Sequence, residues 1–246
     1  MRILVIGDSC IDEFIYCDIE RICPEAPVPV LKPTKTKTNP GMASNVVANL
    51  ESLGAEVDIV TNTNIIKKTR YVDNRSGQMV MRVDKDDRCG NFTEAYGRYY
   101  ETAGYDAMII SDYCKGFLTE KDIEAFTERA TCPVFLDTKK QLGKWCENID
   151  FIKINEFEHK KNFERLPNYP FILDKMIVTI GSKGCKYKDE IFPVPEVSVK
   201  DVSGAGDTFL AALVLSYLKT NHIKSAITFA NECATKVVQK RGVAII

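Results

Sequence analysis

Histidine and tryptophan are nearly missing from this 246-residue sequence, which holds two of the first, His159 and His222, and one of the second. So few imidazoles exclude a metal centre built on histidine. The nine cysteines do not replace them: they are odd in number and lie singly from Cys10 to Cys233, with no C-x-x-C pair. That pattern argues against a disulfide framework or structural zinc and for reduced thiols in a cytoplasmic protein. Neither sign of charge is in excess, since 33 Lys+Arg face 34 Asp+Glu. No global field therefore draws the chain to nucleic acid or to an anionic membrane, and any anionic ligand must be held locally. Long hydrophobic runs are also lacking. The opening MRILVIGDSC is too short to span a membrane and has no small-residue cleavage site. Low-complexity tracts and repeats of solenoid length are absent from the sequence.

What is present is an ordinary globular composition, 45% hydrophobic and 27% charged. The length suits one large α/β domain, with or without a small accessory piece. Apolar strand candidates alternate with helical patterns, which predicts a mostly parallel sheet flanked by helices. ILVIGD, EVDIVTN, DAMIISD, PVFLDT, FIKIN and MIVTIGSKG read as strands. ASNVVANLESLGA carries Val46, Val47, Leu50 and Leu53 on one helical face, with Gly54 as a stop. Further helices are expected at about 119–130, 207–219 and 223–239. Two intervals break the rhythm. Residues 13–38 alternate apolar residues with four prolines, which suits edge strands and turns. Residues 68–84 read as a hairpin turning near Ser76-Gly77. Together they predict a small β-layer acting as a lid.

The stretch DVSGAGDTF, Asp201 to Phe209, sets glycines and an aspartate at the start of a strongly apolar helix. Glycines let main-chain N–H groups converge without Cβ obstruction, and the helix adds its positive end, so the junction can hold an anion. Asp207, in the first turn, can accept a proton from a hydroxyl during phosphoryl transfer. Taken alone, the same residues serve equally as a tight turn with Asp207 as a cap.

The larger pattern resembles the ribokinase-like, phosphofructokinase-B-type sugar kinases. Their C-terminal signature, D-[TV]-[TS]-G-A-G-D-x-F, is similar to DVSGAGDTF, and their N-terminal signature to PGMASNVVANLESLGA, Pro40 to Ala55. The resemblance extends to GDSCID, SDYCKG, DTKK, NEFE and TIGSKG. It implies a single ribokinase-like α/β domain over 1–246, with the lid at about 13–38 and 68–84. It also implies ATP-dependent phosphorylation of a sugar or sugar phosphate, in a homodimer paired through the β-lid. Within the family, ERICPEAPVPVLK and KTRYVDNRSGQMVMRVD look like the corresponding segments of the D-glycero-β-D-manno-heptose 7-phosphate kinases, which act on the anomeric hydroxyl.

Residue roles follow from the same resemblance. Asp207 is implied to be the catalytic base, with the N–H groups of Gly204, Ala205 and Gly206 stabilising the transferred phosphoryl group. Asp12 is implied to grip sugar hydroxyls, against the alternative of an ordinary loop carboxylate. Gly41 and Asn45 match the sugar-contacting glycine and asparagine, though Asn45 also reads as a helix cap. Lys68, Arg70 and Arg82 are candidates for the distal phosphate, with Arg21 and Lys32 as further cations; the alternative for each is a solvated surface charge. Asn155 and Glu158 are implied to organise phosphate and Mg²⁺-bound water, Glu158 reaching the metal through water. Thr179, Gly181 and Gly184 are expected near the nucleotide, with Lys139 and Asn231 as further candidates there. Relatives carry a monovalent cation, K⁺, near the position of Asp201.

Three departures stand out. Met42 occupies the place of the second glycine of the N-terminal signature. DIVTNTNIIKKTR runs straight from a strand to the hairpin, where relatives insert a helix and another strand. No nucleotidyltransferase half is expected within the chain. These departures keep two other readings open: a kinase for another sugar or a nucleoside, and a shortened, non-catalytic nucleotide- or sugar-binding protein.

Overall fold

The apolar strand runs are β-branched and continuous, as burial on both faces of a parallel sheet requires. In the computed structural model, which describes residues 1–96, 100–240 and 242–246, six of them pair in parallel. They are β1 (Arg2–Gly7), β4 (Glu56–Thr61), β7 (Ala107–Asp112), β8 (Val134–Thr138), β9 (Phe151–Asn155) and β10 (Met176–Thr179). A hairpin of β11 (Cys185–Tyr187) and β12 (Glu190–Phe192) completes the sheet, in the order β12-β11-β10-β9-β8-β7-β1-β4.

Alternate residues of β1 serve two cores. Ile3 and Val5 pack with α1 (Ala43–Ser52), α6 (Ala205–Thr220) and α7 (Ile223–Val237). Leu4 and Ile6 pack on the opposite face with Phe92 of α2 (Phe92–Tyr96) and with Ile123 and Phe126 of α3 (Glu120–Arg129). The short α4 (Glu156–Asn162) and α5 (Pro170–Leu173) connect β9 to β10. Phe209 to Leu215 of α6 are all buried, as expected of a helix apolar all round. Burying Phe209, Leu210, Leu213, Val214 and Leu215 contributes roughly 1.5–3 kcal/mol each. The first turn of α6 is thereby anchored against the sheet.

The stretches 13–38 and 68–84 lie in a second sheet, ordered β3-β2-β5-β6. Its strands β2 (Ser9–Ile22) and β3 (Pro29–Met42) are long and antiparallel, flanked by β5 (Ile66–Asp73) and β6 (Met79–Lys85). The prolines are absorbed without breaking the sheet. Pro24 and Pro27 sit in the connecting turn, Pro29 opens β3, and Pro33 lies where the register shifts beside Cys17. Because β3 is an edge strand, the missing N–H groups can face away from the ladder. The hairpin turn is closed by Asp73, which accepts from Ser76 N at 2.8 Å, with Gly77 at φ 71°. β4 passes directly into β5 through residues 62–65, with no helix or strand between them.

Candidate active site

The carboxyl ends of β1 and β7 and the start of α6 converge beneath the second sheet, the end of an α/β sheet where ligands bind. The convergence begins at Gly204. Its φ of 82° is left-handed, and a Cβ there would meet Asn45 Nδ2 at 2.8 Å. Among the described residues the amides of Gly204 and Gly206 have no backbone acceptor, whereas Ala205 N donates to Val202 O at 3.2 Å. Two of the three amides expected to meet a phosphoryl group are therefore available; the third is engaged by the turn that starts the helix.

Asp207 is buried, and neither carboxylate oxygen caps the helix. Oδ2 accepts from Asn45 Nδ2 at 2.8 Å and Oδ1 accepts from Tyr113 Oη at 2.5 Å. Asn45 does not cap α1 either, since Met42 holds the N-cap position and no side chain bonds there. Burial pushes the Asp207 carboxyl up to about 6, against the hydrogen bonds from Asn45 and Tyr113. Asp137 adds repulsion and Lys153 opposes it. A carboxylate so placed is poised to take a proton near neutral pH.

A cavity of about 370 Å³ opens above Asp207. Asp12, Lys68, Arg70 and Arg82 from the second sheet line it, with Lys115, Lys139, Tyr113 and Met42. Asp12 is buried and ion-paired with Arg70. Gly41 makes room for that carboxylate, because a Cβ there would lie 2.3 Å from Asp12 Oδ2. Arg82 pairs with Asp84, Lys115 with Asp87 and Lys139 with Glu158. Lys68 pairs with no carboxylate among the described residues, and burial pushes its ammonium down. A half-buried cation without a counter-ion, facing a cavity, favours an anionic ligand.

Behind the turn lies a second cavity, of about 350 Å³, bordered by Ala205, Gly206, Thr179, Gly181, Gly184 and Asn231. Gly184 is confined to glycine, with φ 89° and a Cβ position 2.0 Å from Phe192 O. Asn231 donates to that same carbonyl at 2.8 Å. Ser203, Gly204 and Asp207 face one cavity while Ala205, Gly206 and Phe209 face the other. The glycine turn is thus the shared wall.

Some expected residues do not converge on either cavity. Asn155 and Glu158 border neither; they form the capping box of α4, Glu158 N donating to Asn155 Oδ1 at 2.9 Å and Asn155 N to Glu158 Oε2 at 2.8 Å. Glu158 reaches the site through Lys139, 2.8 Å from its Oε1. Asp201 accepts from Ser203 N and Gly242 N, tying the turn to the chain's last residues. Lys32 pairs with Glu20 on the exposed end of the second sheet, and Arg21 is exposed beside it.

Tyr113, Lys115 and the buried Lys153–Asp137 pair were not singled out from the sequence. Lys153 Nζ donates to Asp137 Oδ2 at 2.6 Å, and a Cβ on Gly206 would stand 2.9 Å from Lys153 Nζ. Burial pulls this ammonium down, but the Asp137 charge and hydrogen bond outweigh it and hold it charged. A lysine inside the strand run FIKIN was a signal, since buried strands rarely carry an unpaired charge. Tyr113 follows β7 at its carboxyl end, the position where ligand-contacting residues gather.

An eight-stranded α/β sheet, a second sheet over its carboxyl edge and a glycine turn dividing two cavities together frame the candidate site. Residues 92–246 match the pfkB family of carbohydrate kinases, and the chain belongs to that family. It is 33% identical, over 291 residues, to the bifunctional protein HldE of a Nitratiruptor species, covering 99% of this chain and 62% of that protein. It is 31% identical over 285 residues to the bifunctional protein HldE of Campylobacter jejuni subsp. jejuni serotype O:2, covering 98% and 62%. The chain thus spans about 62% of the length of these curated relatives. Among solved structures, ribokinase from Thermotoga maritima superposes with a TM-score of 0.72 at 18% identity, covering 98% of this chain and 94% of that one. Phosphofructokinase-2 from Escherichia coli, solved with potassium, gives 0.72 at 16%, covering 99% and 94%. These likenesses establish the ribokinase-like fold. Membership in the kinase family implies ATP and a divalent metal.

Proposed function

We propose that the chain transfers the γ-phosphoryl group of ATP to a sugar phosphate, namely to the anomeric hydroxyl of D-glycero-β-D-manno-heptose 7-phosphate. The observation that carries this reading is the glycine turn, with a cation-lined cavity on one side and a largely apolar cavity on the other. ATP lies in the second cavity against Thr179, Gly181, Gly184 and Asn231, and the acceptor in the first against Asp12, with Gly41 behind Asp12 and Asn45 behind Asp207 completing the sugar site. Asp207 takes the acceptor's hydroxyl proton as its oxygen bonds to phosphorus; the bond to the β-phosphate breaks and ADP leaves with that electron pair. The amides of Gly204 and Gly206 meet the charge on the phosphoryl oxygens, while that of Ala205 holds the turn through Val202 O. Lys153 adds a fixed positive charge behind the turn.

No cluster of three or more His, Cys, Asp or Glu suited to a metal exists among the described residues. Mg²⁺ would be held chiefly by nucleotide phosphates and water, with Glu158, paired with Lys139, reaching it through water. Mg²⁺ bound there neutralises phosphate charge. K⁺ belongs beside Asp201, where the turn and the last residues meet. The second sheet acts as the lid of one kinase domain. Its β6 leaves Met79, Val80, Met81 and Val83 exposed, a surface that pairing between two copies would cover. Among the described residues, no helix is long and apolar enough to cross a membrane, and the nine cysteines are free, which supports placing the protein in the cytoplasm.

Lys68 tests the acceptor. Lys68→Ala is expected to raise KM for the heptose 7-phosphate at least tenfold while leaving KM for ATP within about twofold, a loss of the size of one charge-assisted contact. Equal effects on a phosphorylated and a neutral acceptor would show that Lys68 does not bind the distal phosphate.

A further inference from the structure

Asp207 is gripped from two sides, by Asn45 and by Tyr113. We infer that Tyr113 is a positioning residue for the base, its phenol donating to Asp207 Oδ1 and fixing the carboxylate toward the acceptor hydroxyl. The inference rests on the reading of Asp207 as the base.

Tyr113 is held in place from its own backbone. Its N–H donates to Asp8 Oδ2 at 2.7 Å, and Phe117 N donates to Asp8 Oδ1 at 3.2 Å, so one buried carboxylate at the end of β1 gathers the loop that follows β7. Between them, Cys114 at φ 56° and Gly116 at φ 112° bend the loop back. A non-glycine residue held at positive φ is sustained only where the surroundings dictate it. The result is a chain from Asp8 through the Tyr113 amide and ring to Asp207 Oδ1. Asn45 meets the other oxygen, so each carboxylate oxygen accepts one fixed hydrogen bond and keeps a lone pair. Rotation about the Asp207 side chain is blocked from both sides.

The ring has a second role in the same geometry. Lys139 Nζ lies 4.8 Å and Lys68 Nζ 5.9 Å from its centroid, so the Tyr113 face sits beside two of the cavity's cations. The charged groups acting on Tyr113 and Asp207 are Lys68 of β5, Lys139 after β8, Asp137 of β8 and Lys153 of β9; the Cys10 thiol of β2, pushed up to about 12 by burial, stays neutral beside them. Burial and the neighbouring carboxylates keep the phenol protonated far above neutral pH, so it donates throughout the working range and never receives the substrate's proton.

The sign of the pH effect follows. The Tyr113 hydrogen bond favours the ionised Asp207, so removing it raises the pH below which the base is protonated. In the wild type, kcat/KM is expected to fall as pH drops through about 6, the value to which burial raises Asp207. Tyr113→Phe is expected to move that limb up by about one unit and to lower kcat roughly tenfold, with ATP affinity unchanged. Site-specific 3,5-difluorotyrosine at 113 keeps the ring's shape and strengthens the donor; it is expected to move the limb down, opposite to Phe. If Tyr113→Phe does not fold, the fluorinated protein decides alone. An unmoved acidic limb in either variant, in a protein whose Asp207→Asn form is inactive, overturns the role of Tyr113 and leaves the base reading standing. Full activity in Asp207→Asn overturns both.

Discussion

Met42 is the residue whose backbone is hardest to explain by stability alone. Its φ of 58° and ψ of −131° lie in a region open essentially to glycine, yet the side chain is buried and borders the cation-lined cavity. Holding it there costs of the order of 1–3 kcal/mol. The thioether packs with Cys10 and Ile66, which offsets the strain and narrows the cavity. Met42→Gly is expected to relieve the strain but lose more in burial, lowering Tm by a few degrees for a net loss of about 1–2 kcal/mol. The same change is expected to lower the kcat/KM preference for the heptose 7-phosphate over bulkier acceptors at least threefold; calorimetry and a two-acceptor competition check the two halves. The sequence marked this position as a departure from the family signature, which was enough to find it. The positive φ left no such mark, because methionine has no left-handed preference to read. Asp207, Gly204 and Gly206 were legible for the opposite reason: glycines before an apolar helix make no sense except as a backbone device. Tyr113 and Lys153 were hidden because a tyrosine after a strand and a lysine within one are common in isolation, and only the tertiary approach to Asp207 and Gly206 distinguishes them.

At the scale of elements, the turn and α6 act as one unit. The helix is anchored by Phe209 to Leu215 in the core, while the turn that starts it carries Asp207, the proposed base, and the open amides of Gly204 and Gly206. Gly204→Ala imposes a left-handed alanine, worth about 1–2 kcal/mol, and drives a methyl group into Asn45 Nδ2. The expected outcome is a Tm lowered by a few degrees and a kcat lowered roughly a hundredfold, because Asn45 must leave Asp207 as it makes room. An alanine variant with wild-type kcat and intact stability would show the turn to be pliable and the asparagine contact dispensable. Helix positions were readable to within about two residues: α6 begins at Ala205 and ends at Thr220, and α7 stops at Val237. The long β2 and β3 were less readable. Their prolines suggested edge pieces and turns, whereas the edge position of β3 and two register shifts let 14-residue strands pair around them. Proline excludes a central strand, not a long edge one.

For the whole molecule, the alternation of strands and helices was sufficient for a mostly parallel α/β sheet, since continuous apolar strands need cover on both faces. Strand order was beyond reach, because periodicity says which face is buried and not which neighbour pairs. The direct passage from β4 to β5 leaves β4 on the sheet edge, with Asp58 held by Arg2 at 2.7 Å and by Tyr105 at 3.0 Å along it. The two cavities and their shared turn lie elsewhere, at the start of α6, so the shortened connection does not touch the residues proposed to carry the chemistry. Asp207 is proposed to deprotonate a sugar-phosphate hydroxyl across that turn. That role is tested most directly by ATP turnover with Mg²⁺ on heptose 7-phosphate, fructose 6-phosphate, ribose, fructose and adenosine, each repeated with Asp207→Asn. Turnover on the heptose 7-phosphate is expected to exceed that on the other acceptors, with a loss of at least about a thousandfold in Asp207→Asn and ATP binding retained. Turnover that survives in Asp207→Asn, or ATP binding with no turnover on any acceptor, would contradict that role.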